Sequence, residues 1–323
     1  MTTKPACSVI VRCYNEEKHI GRLLSGIMQQ TVRDVEIIVV DSGSTDATVA
    51  IASRYPVRLL TIDKAEFSFG RSLNRGIEAA TADFVVMASA HVYPVYRDWL
   101  AQILRPFDEA QVALVYGRQR GASSTRYAEH RVFARWFPAE SDFRQRHPFC
   151  NNANAAIRRE LWHDMPYDED LTGLEDLDWA RRAIDAGHYL AYNAEAEIVH
   201  VHEETYRQVL NRYRREAIAF KRIFPEARFS LLDFARLWAV NVASDYAHAL
   251  RDGVLLRDLG DIPRFRLMQF WGTYRGYAQH TPVTQQLRRT FYYPERRRPP
   301  AEPSARQKLR IRYDAPPGSV DSQ

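Results

Sequence analysis

The chain has 323 residues, 46% of them apolar and 26% charged, with 14 Gly and 16 Pro. That profile excludes collagenous and low-complexity chains and leaves ample apolar material for one large domain or two modest ones. The net charge of +5 is concentrated: between Arg288 and Tyr313, eight Arg and Lys308 face only Glu295 and Glu302, and the remainder is slightly acidic.

A globally basic surface favours nucleic acid. A basic tail on a near-neutral body fits an anionic membrane surface, or a solvated Pro- and Arg-rich extension. The strongest apolar runs, Glu36–Val40 and Phe84–Ala90, are strand-length, well short of the roughly 18 residues of a spanning helix. No apolar stretch of signal-peptide length follows Lys4-Pro5. Cys7, Cys13 and Cys150 are odd in number and scattered. Reduced thiols in a cytosolic compartment are therefore expected, not a disulfide scaffold.

In chain order, Ser8–Val11 is a β-branched strand, followed by Asn15 as a helix cap and an amphipathic helix to about Gln30. Glu36–Val40 is the second strand, and Ser44 caps a helix over Thr45–Tyr55. Val57–Ile62 is a third strand, Leu73–Ala80 a helix and Phe84–Ala88 a fourth strand. This alternation predicts a mostly parallel sheet flanked by helices, with ligands bound beyond the carboxyl ends of the strands. Val112–Tyr116 reads as a strand and 118–150 as a surface loop over a site. Ala155–Trp162 and Glu175–Ala186 read as helices, the second ending at Gly187. From Thr205 to Gln279 the pattern is helical, interrupted at Pro225 and Pro263; from Thr290 disorder is expected. Phe229–Leu250 reads as core or a homodimer interface, and Asp233, Arg236 and Asp245 argue against its burial in lipid. The basic residues from Arg207 to Arg222 read as an interfacial or solvated helix face.

The segments after the strands carry groups suited to a nucleotide. Arg12–Glu17 (RCYNEE) offers the aromatic face of Tyr14 and the carboxylate of Glu16. Asp41–Asp46 (DSGSTD) places Asp41 at a strand end, where it can accept hydrogen bonds from a base or ribose beside a tight turn at Gly43. The sequence contains neither GxGxxG after a strand nor GxxxxGK[ST], which argues against a dinucleotide oxidoreductase and a P-loop NTPase.

SVIVRCYNEE, EIIVVDSGSTD and the Gly-Arg-x-x-Asn-x-Gly stretch at Gly70–Gly76 follow one another in the order found in glycosyltransferase family 2. NNANAAIRRELW (Asn151–Trp162), GLEDLDWARRAIDAGH (Gly173–His188) and VHVH (Val199–His202) resemble its rhamnosyltransferase-like branch. The resemblance spans about residues 7–225. It implies a GT-A domain over 1–203, followed by a helical region over 204–290 and a basic tail over 291–323. It also implies a donor-side set of Tyr14, Glu16, Asp41, Arg71, Ser89 and His91. Asp176 becomes the general base with Glu175 beside it, and Asn151, Asn152, Asn154 and Asp178 lie on the acceptor side. A base is needed because an acceptor hydroxyl is a poor nucleophile; one base and one displacement give inversion.

One departure stands out. Where the family ends its fourth strand with Asp-x-Asp to bind a divalent cation, this chain has Ser89-Ala90-His91. Imidazole suits Mn²⁺, Fe²⁺ or Zn²⁺ better than Mg²⁺, so the expected cofactor is a divalent cation, Mn²⁺ ahead of Mg²⁺. Its ligands are His91 with His200 and His202, whose strand-like alternation turns both to one side. A metal-free site in which a protonated His91 faces the diphosphate is the alternative.

The resemblance thus implies an inverting transferase moving a sugar from a nucleotide-sugar donor to a glycan or lipid-linked acceptor in bacterial surface polysaccharide synthesis. It would be cytoplasmic and peripheral on the inner face of the membrane through its basic tail. Nucleic acid is not an expected partner. The competing readings are a catalytically silent nucleotide-sugar-binding module and, further off, a nucleic-acid-binding protein using the Arg-rich tail.

Overall fold

The computed structural model describes residues 4–279. Its elements are β1 (Cys7–Cys13), α1 (Ile20–Met28), β2 (Val35–Asp41), α2 (Thr48–Ala52), β3 (Arg58–Thr61), α3 (Phe69–Glu78), β4 (Phe84–Ser89) and β5 (Val92–Pro94). Next come α4 (Trp99–Leu104), β6 (Val112–Gly121), α5 (Tyr127–Trp136), β7 (Asp142–Gln145), β8 (Asn154–Arg158) and α6 (Arg159–Asp164). The chain then continues through α7 (Glu175–Asp185), β9 (Tyr189–His200), α8 (Tyr206–Ile223), α9 (Leu231–Arg251), α10 (Leu255–Asp258) and α11 (Asp261–Tyr277).

The strands form one nine-stranded sheet in the order β3-β2-β1-β4-β8-β6-β9-β5, with β7 also on β9. β1 to β4 are parallel, as the alternation implies. Beyond β4 the sheet is mixed: β8 runs antiparallel to β4 and β6, β6 and β9 are parallel, and β5 and β7 are antiparallel to β9.

The central strands are buried on both faces, which is why they read as continuous β-branched runs without alternation. Val9 and Val11 pack in one layer with Leu23, Leu24 and Ile27 of α1; Ile10 packs in the other with Leu73 and Ile77 of α3. Each such side chain contributes about 1.5–3 kcal/mol on burial.

Several boundaries differ from the sequence reading. Asn15 is not a helix cap; α1 begins after His19. Ser44 lies in a loop, and α2 starts only at Thr48. Residues 155–162 are strand β8 followed by the short α6, not one helix. Ala155, Ala156 and Ile157 are fully buried inside the sheet, and tertiary burial overrides the helix propensity of the alanines. Residues 118–150 are the end of β6, α5 and β7 with their connections, not a single loop.

The helical region behaves as its caps dictate. Thr205 and Gln208 form a reciprocal capping box that starts α8. Pro263 lies in the first turn of α11, where its missing N–H costs nothing. A side chain at Gly272 would bring Cβ within 2.5 Å of the Leu210 carbonyl oxygen, so glycine lets α11 lie directly on α8. The basic residues of α8 do not make one solvated or lipid-facing surface. Arg212 is enclosed by Glu129 and Glu204, and Lys221 donates to the Tyr277 carbonyl. In α9, Val242, Asp245 and Ala249 are buried while Leu231, Leu232, Val240 and Leu250 are exposed. Among the described residues no helix is long and apolar enough to cross a membrane. The expected basic, disordered tail lies outside the described residues.

Candidate active site

The loops after β1 and β2 are locked together at the sheet's carboxyl edge. The Asn15 N–H donates to Ser44 Oγ at 2.9 Å, the Thr45 N–H to Asn15 Oδ1 at 2.8 Å, and the Glu16 N–H to Thr48 Oγ1 at 2.6 Å. Asn15 adopts the left-handed conformation (φ 53°), which its short polar side chain tolerates. Asp41 accepts from the Gly43 and Ser44 N–H groups at 2.9 and 3.0 Å, and Gly43 turns at φ 81°. The Asp41 carboxylate therefore shapes its own turn. Lys64 Nζ lies 4.7 Å from the centre of the Tyr14 ring and 3.3 Å from its hydroxyl.

Ser89 ends β4, in register with Arg12, and its N–H meets the Ala153 carbonyl at 3.4 Å. His91 follows, with Nδ1 3.1 Å from Glu16 Oε1. Its ring stacks on that of His200, centroids 5.1 Å apart, and the Nε2 atoms of His200 and His202 are 3.0 Å from each other. Alternation in VHVH does turn both histidines to one side. Burial, then His202, His91 and Arg212, hold His200 well below the usual imidazole range, so it is neutral at pH 7. One ring nitrogen from each of the three imidazoles falls within 4.8 Å of the others. That donor set fits a divalent cation that accepts nitrogen ligands.

The acid pair opens α7. Leu174, just before it, is left-handed (φ 57°) and unassisted by glycine, a strained position of the kind found at functional sites. Glu175 Oε1 accepts from Arg12 at 3.2 Å. Asp176 is buried, and its oxygens accept the N–H groups of Asn152 at 3.0 Å and Leu177 at 2.8 Å. Burial and the adjacent Glu175 raise its carboxyl from the usual 3.8 to about 7, against those N–H groups and Arg12. A carboxylate there can act as a general base near neutral pH.

Not every predicted residue joins this group. Asn154 is fully buried inside β8; it accepts from Trp99 Nε1 at 2.9 Å and donates to the carbonyls of Arg118 and Ala196. It ties strands together, which corrects its acceptor-side assignment. Asp178 is spent on Arg181 and Arg182 of its own helix. Arg71 is paired with Glu169 at 2.6 Å and lines a hollow of about 520 Å³ with Asn74, Trp162 and Tyr167, which includes no other predicted site residue. Asn152 stands beside Asp176 and supplies it an N–H, while Asn151 Oδ1 accepts from Gln119.

Other contributors were not singled out in the sequence. Arg12 sits in the quoted RCYNEE segment, and its position one residue before the strand end is the signal that marks it. Lys64, Gln119 and Glu129 carry no local signal, and Arg212 reads in the sequence only as part of a basic helix face. Glu129 is buried, accepts from Arg212 at 2.6 Å and lies 2.7 Å from His202 Nδ1. Its burial is outweighed by His202 and Arg212, which hold its carboxyl down at about 2.

Comparison with known proteins bears on this arrangement. Residues 8–165 match the family described as glycosyl transferase family 2. The O-antigen chain rhamnosyltransferase WbaN of Salmonella anatum is 30% identical over 223 residues, 65% of this chain and 70% of that protein. RfbN of Salmonella typhimurium, also an O-antigen chain rhamnosyltransferase, is 28% identical over 220 residues, 64% of this chain and 69% of that protein. Among solved structures, the mannosyltransferase PcManGT from Pyrobaculum calidifontis, in complex with GDP-Man and Mn²⁺, aligns with a TM-score of 0.56 at 21% identity, covering 91% of this chain and 89% of that one. S. aureus TarS 1–349 in complex with UDP-GlcNAc aligns at 0.53 and 17% identity, covering 84% and 90%. The fold is GT-A, and the chain belongs to glycosyltransferase family 2.

Proposed function

We propose that the protein is an inverting glycosyltransferase moving a hexosyl or deoxyhexosyl unit from a nucleotide-sugar donor to a hydroxyl of a glycan or lipid-linked acceptor. The names of its O-antigen relatives favour a rhamnosyl unit and surface polysaccharide synthesis. One observation carries the reading. Arg12, near the end of β1, and Glu16, in the loop that follows it, reach Glu175 of the acid pair and His91 of the donor-side triplet respectively. These contacts support a reading in which the general base acts close to the leaving diphosphate.

In this reading Tyr14 and the Asp41 turn receive the base and ribose. Asp176 takes the acceptor hydroxyl's proton while the anomeric carbon is attacked from the face opposite the diphosphate. Arg12 pairs with Glu175 alongside. His91, His200 and His202 would hold a divalent cation, which when bound would supply charge neutralisation for the diphosphate. The basic C-terminal segment, outside the described residues, is read as a peripheral contact with an anionic membrane.

The donor side is tested by a thermal-shift screen of UDP-, GDP-, dTDP- and CMP-sugars with and without Mn²⁺, since a ligand of the folded state raises apparent stability. Asp41→Ala is expected to weaken the productive nucleotide by about 10- to 100-fold in calorimetry, the scale of hydrogen bonds to a charged group. An unchanged Kd removes Asp41 and its turn from the donor site.

A further inference from the structure

Each of the three clustered imidazoles is held in the same way. Nδ1 of His91 faces Glu16 Oε1 at 3.1 Å, Nδ1 of His200 faces Gln119 Oε1 at 2.8 Å, and Nδ1 of His202 faces Glu129 Oε1 at 2.7 Å. A carboxylate or amide oxygen only accepts, so each Nδ1 carries the proton and donates it. The orientation of Gln119 is itself fixed, because its Nε2 donates to Asn151 Oδ1 at 3.1 Å. Glu129 is fixed by Arg212.

With Nδ1 protonated, Nε2 of a neutral ring presents a lone pair. Those of His200 and His202 stand 3.0 Å apart, with His91 stacked alongside. Two lone pairs at that separation repel unless a positive charge lies between them. A shared proton serves two nitrogens; a cation serves three.

We propose that Gln119 and Glu129, with Glu16, are positioning residues that set the three imidazoles as a nitrogen site selecting a first-row transition ion over Mg²⁺. This rests on the reading that the trio takes a divalent cation. Imidazole favours such ions, whereas Mg²⁺ demands hard oxygen ligands and gives up water reluctantly. The consequence is electrostatic. Three neutral ligands leave the ion's full charge facing a diphosphate, where an Asp-x-Asp pair would cancel it.

The test uses the full chain stripped with chelator, then titrated with Co²⁺, Mn²⁺ and Mg²⁺ by calorimetry and, for Co²⁺, visible absorption. One Co²⁺ per chain is expected, not displaced by excess Mg²⁺, and lost in His200→Gln. Gln119→Leu and Glu129→Leu should each weaken Co²⁺ by about 10- to 100-fold, the usual cost of removing an outer partner of a ligating histidine. Gln119→Glu, which keeps an acceptor, should restore most of it. Mg²⁺ binding as tightly as Co²⁺ overturns the selectivity. Full Co²⁺ affinity in both Gln119→Leu and Glu129→Leu overturns the positioning role. Full affinity in His200→Gln instead overturns the cation reading beneath it, leaving the transferase assignment to be judged on Asp176.

Discussion

Asp176→Asn is expected to lower turnover by about 10²–10⁴-fold, the range a positioned base contributes, with little change in donor affinity. The asparagine keeps the shape and still accepts the Asn152 N–H, but it cannot take a proton. In the parent protein turnover should rise with pH through about 7, where the buried carboxyl ionises beside Glu175, and level off above. Stability should move the opposite way. A carboxyl raised above its unfolded value of 3.8 stabilises the folded state fully below that value, and the contribution is lost as pH climbs through about 7. The variant, free of a buried charge, should therefore melt above the parent at pH 8, and the difference should disappear near pH 3. Undiminished turnover would assign the base elsewhere; a melting difference of the opposite sign would mean that Asp176 is stabilised as the anion.

The second large effect concerns stability. Asp245 of α9 and Arg266 of α11 form a two-pronged ion pair at 2.7 and 3.1 Å, and Arg266 also donates to the Ala128 carbonyl of α5. Both residues are almost completely buried. Asp245→Ala leaves the guanidinium without its counter-charge and should cost about 3–5 kcal/mol in urea denaturation. The double replacement Asp245→Leu with Arg266→Met should recover most of that loss, because removing both charges also removes their desolvation cost. A single replacement costing under about 1 kcal/mol would place the pair among weakly contributing surface bridges.

Asp245 also illustrates what sequence patterning conveys. Its charge reads as evidence that α9 avoids lipid, yet its partner lies 21 positions away on another helix. The residues proposed for the donor side were legible because they follow parallel strands, whose β-branched runs end sharply in polar loops. Asp41, Glu16 and His91 need only the rule that ligands meet the carboxyl ends of such strands. Asp176 needed the motif order besides. Asn154 misled because the resemblance groups it with Asn151 and Asn152 on the acceptor side, whereas β8 takes up the chain at Asn154 and buries it. Gln119 and Glu129 were illegible for a different reason. They reach the histidines only because β6 pairs with β9, Gly121 opposite His200, which carries α5 over the cluster. No spacing within either segment encodes that meeting.

The most direct measurement is a crystal structure of the chain soaked with a nucleoside diphosphate and Mn²⁺. The account predicts the base against Tyr14 and the Asp41 turn, with the diphosphate between His91 and the acid pair. A nucleotide seated instead in the hollow of Arg71, Trp162 and Glu169, leaving Asp41, His91 and Asp176 untouched, would contradict it.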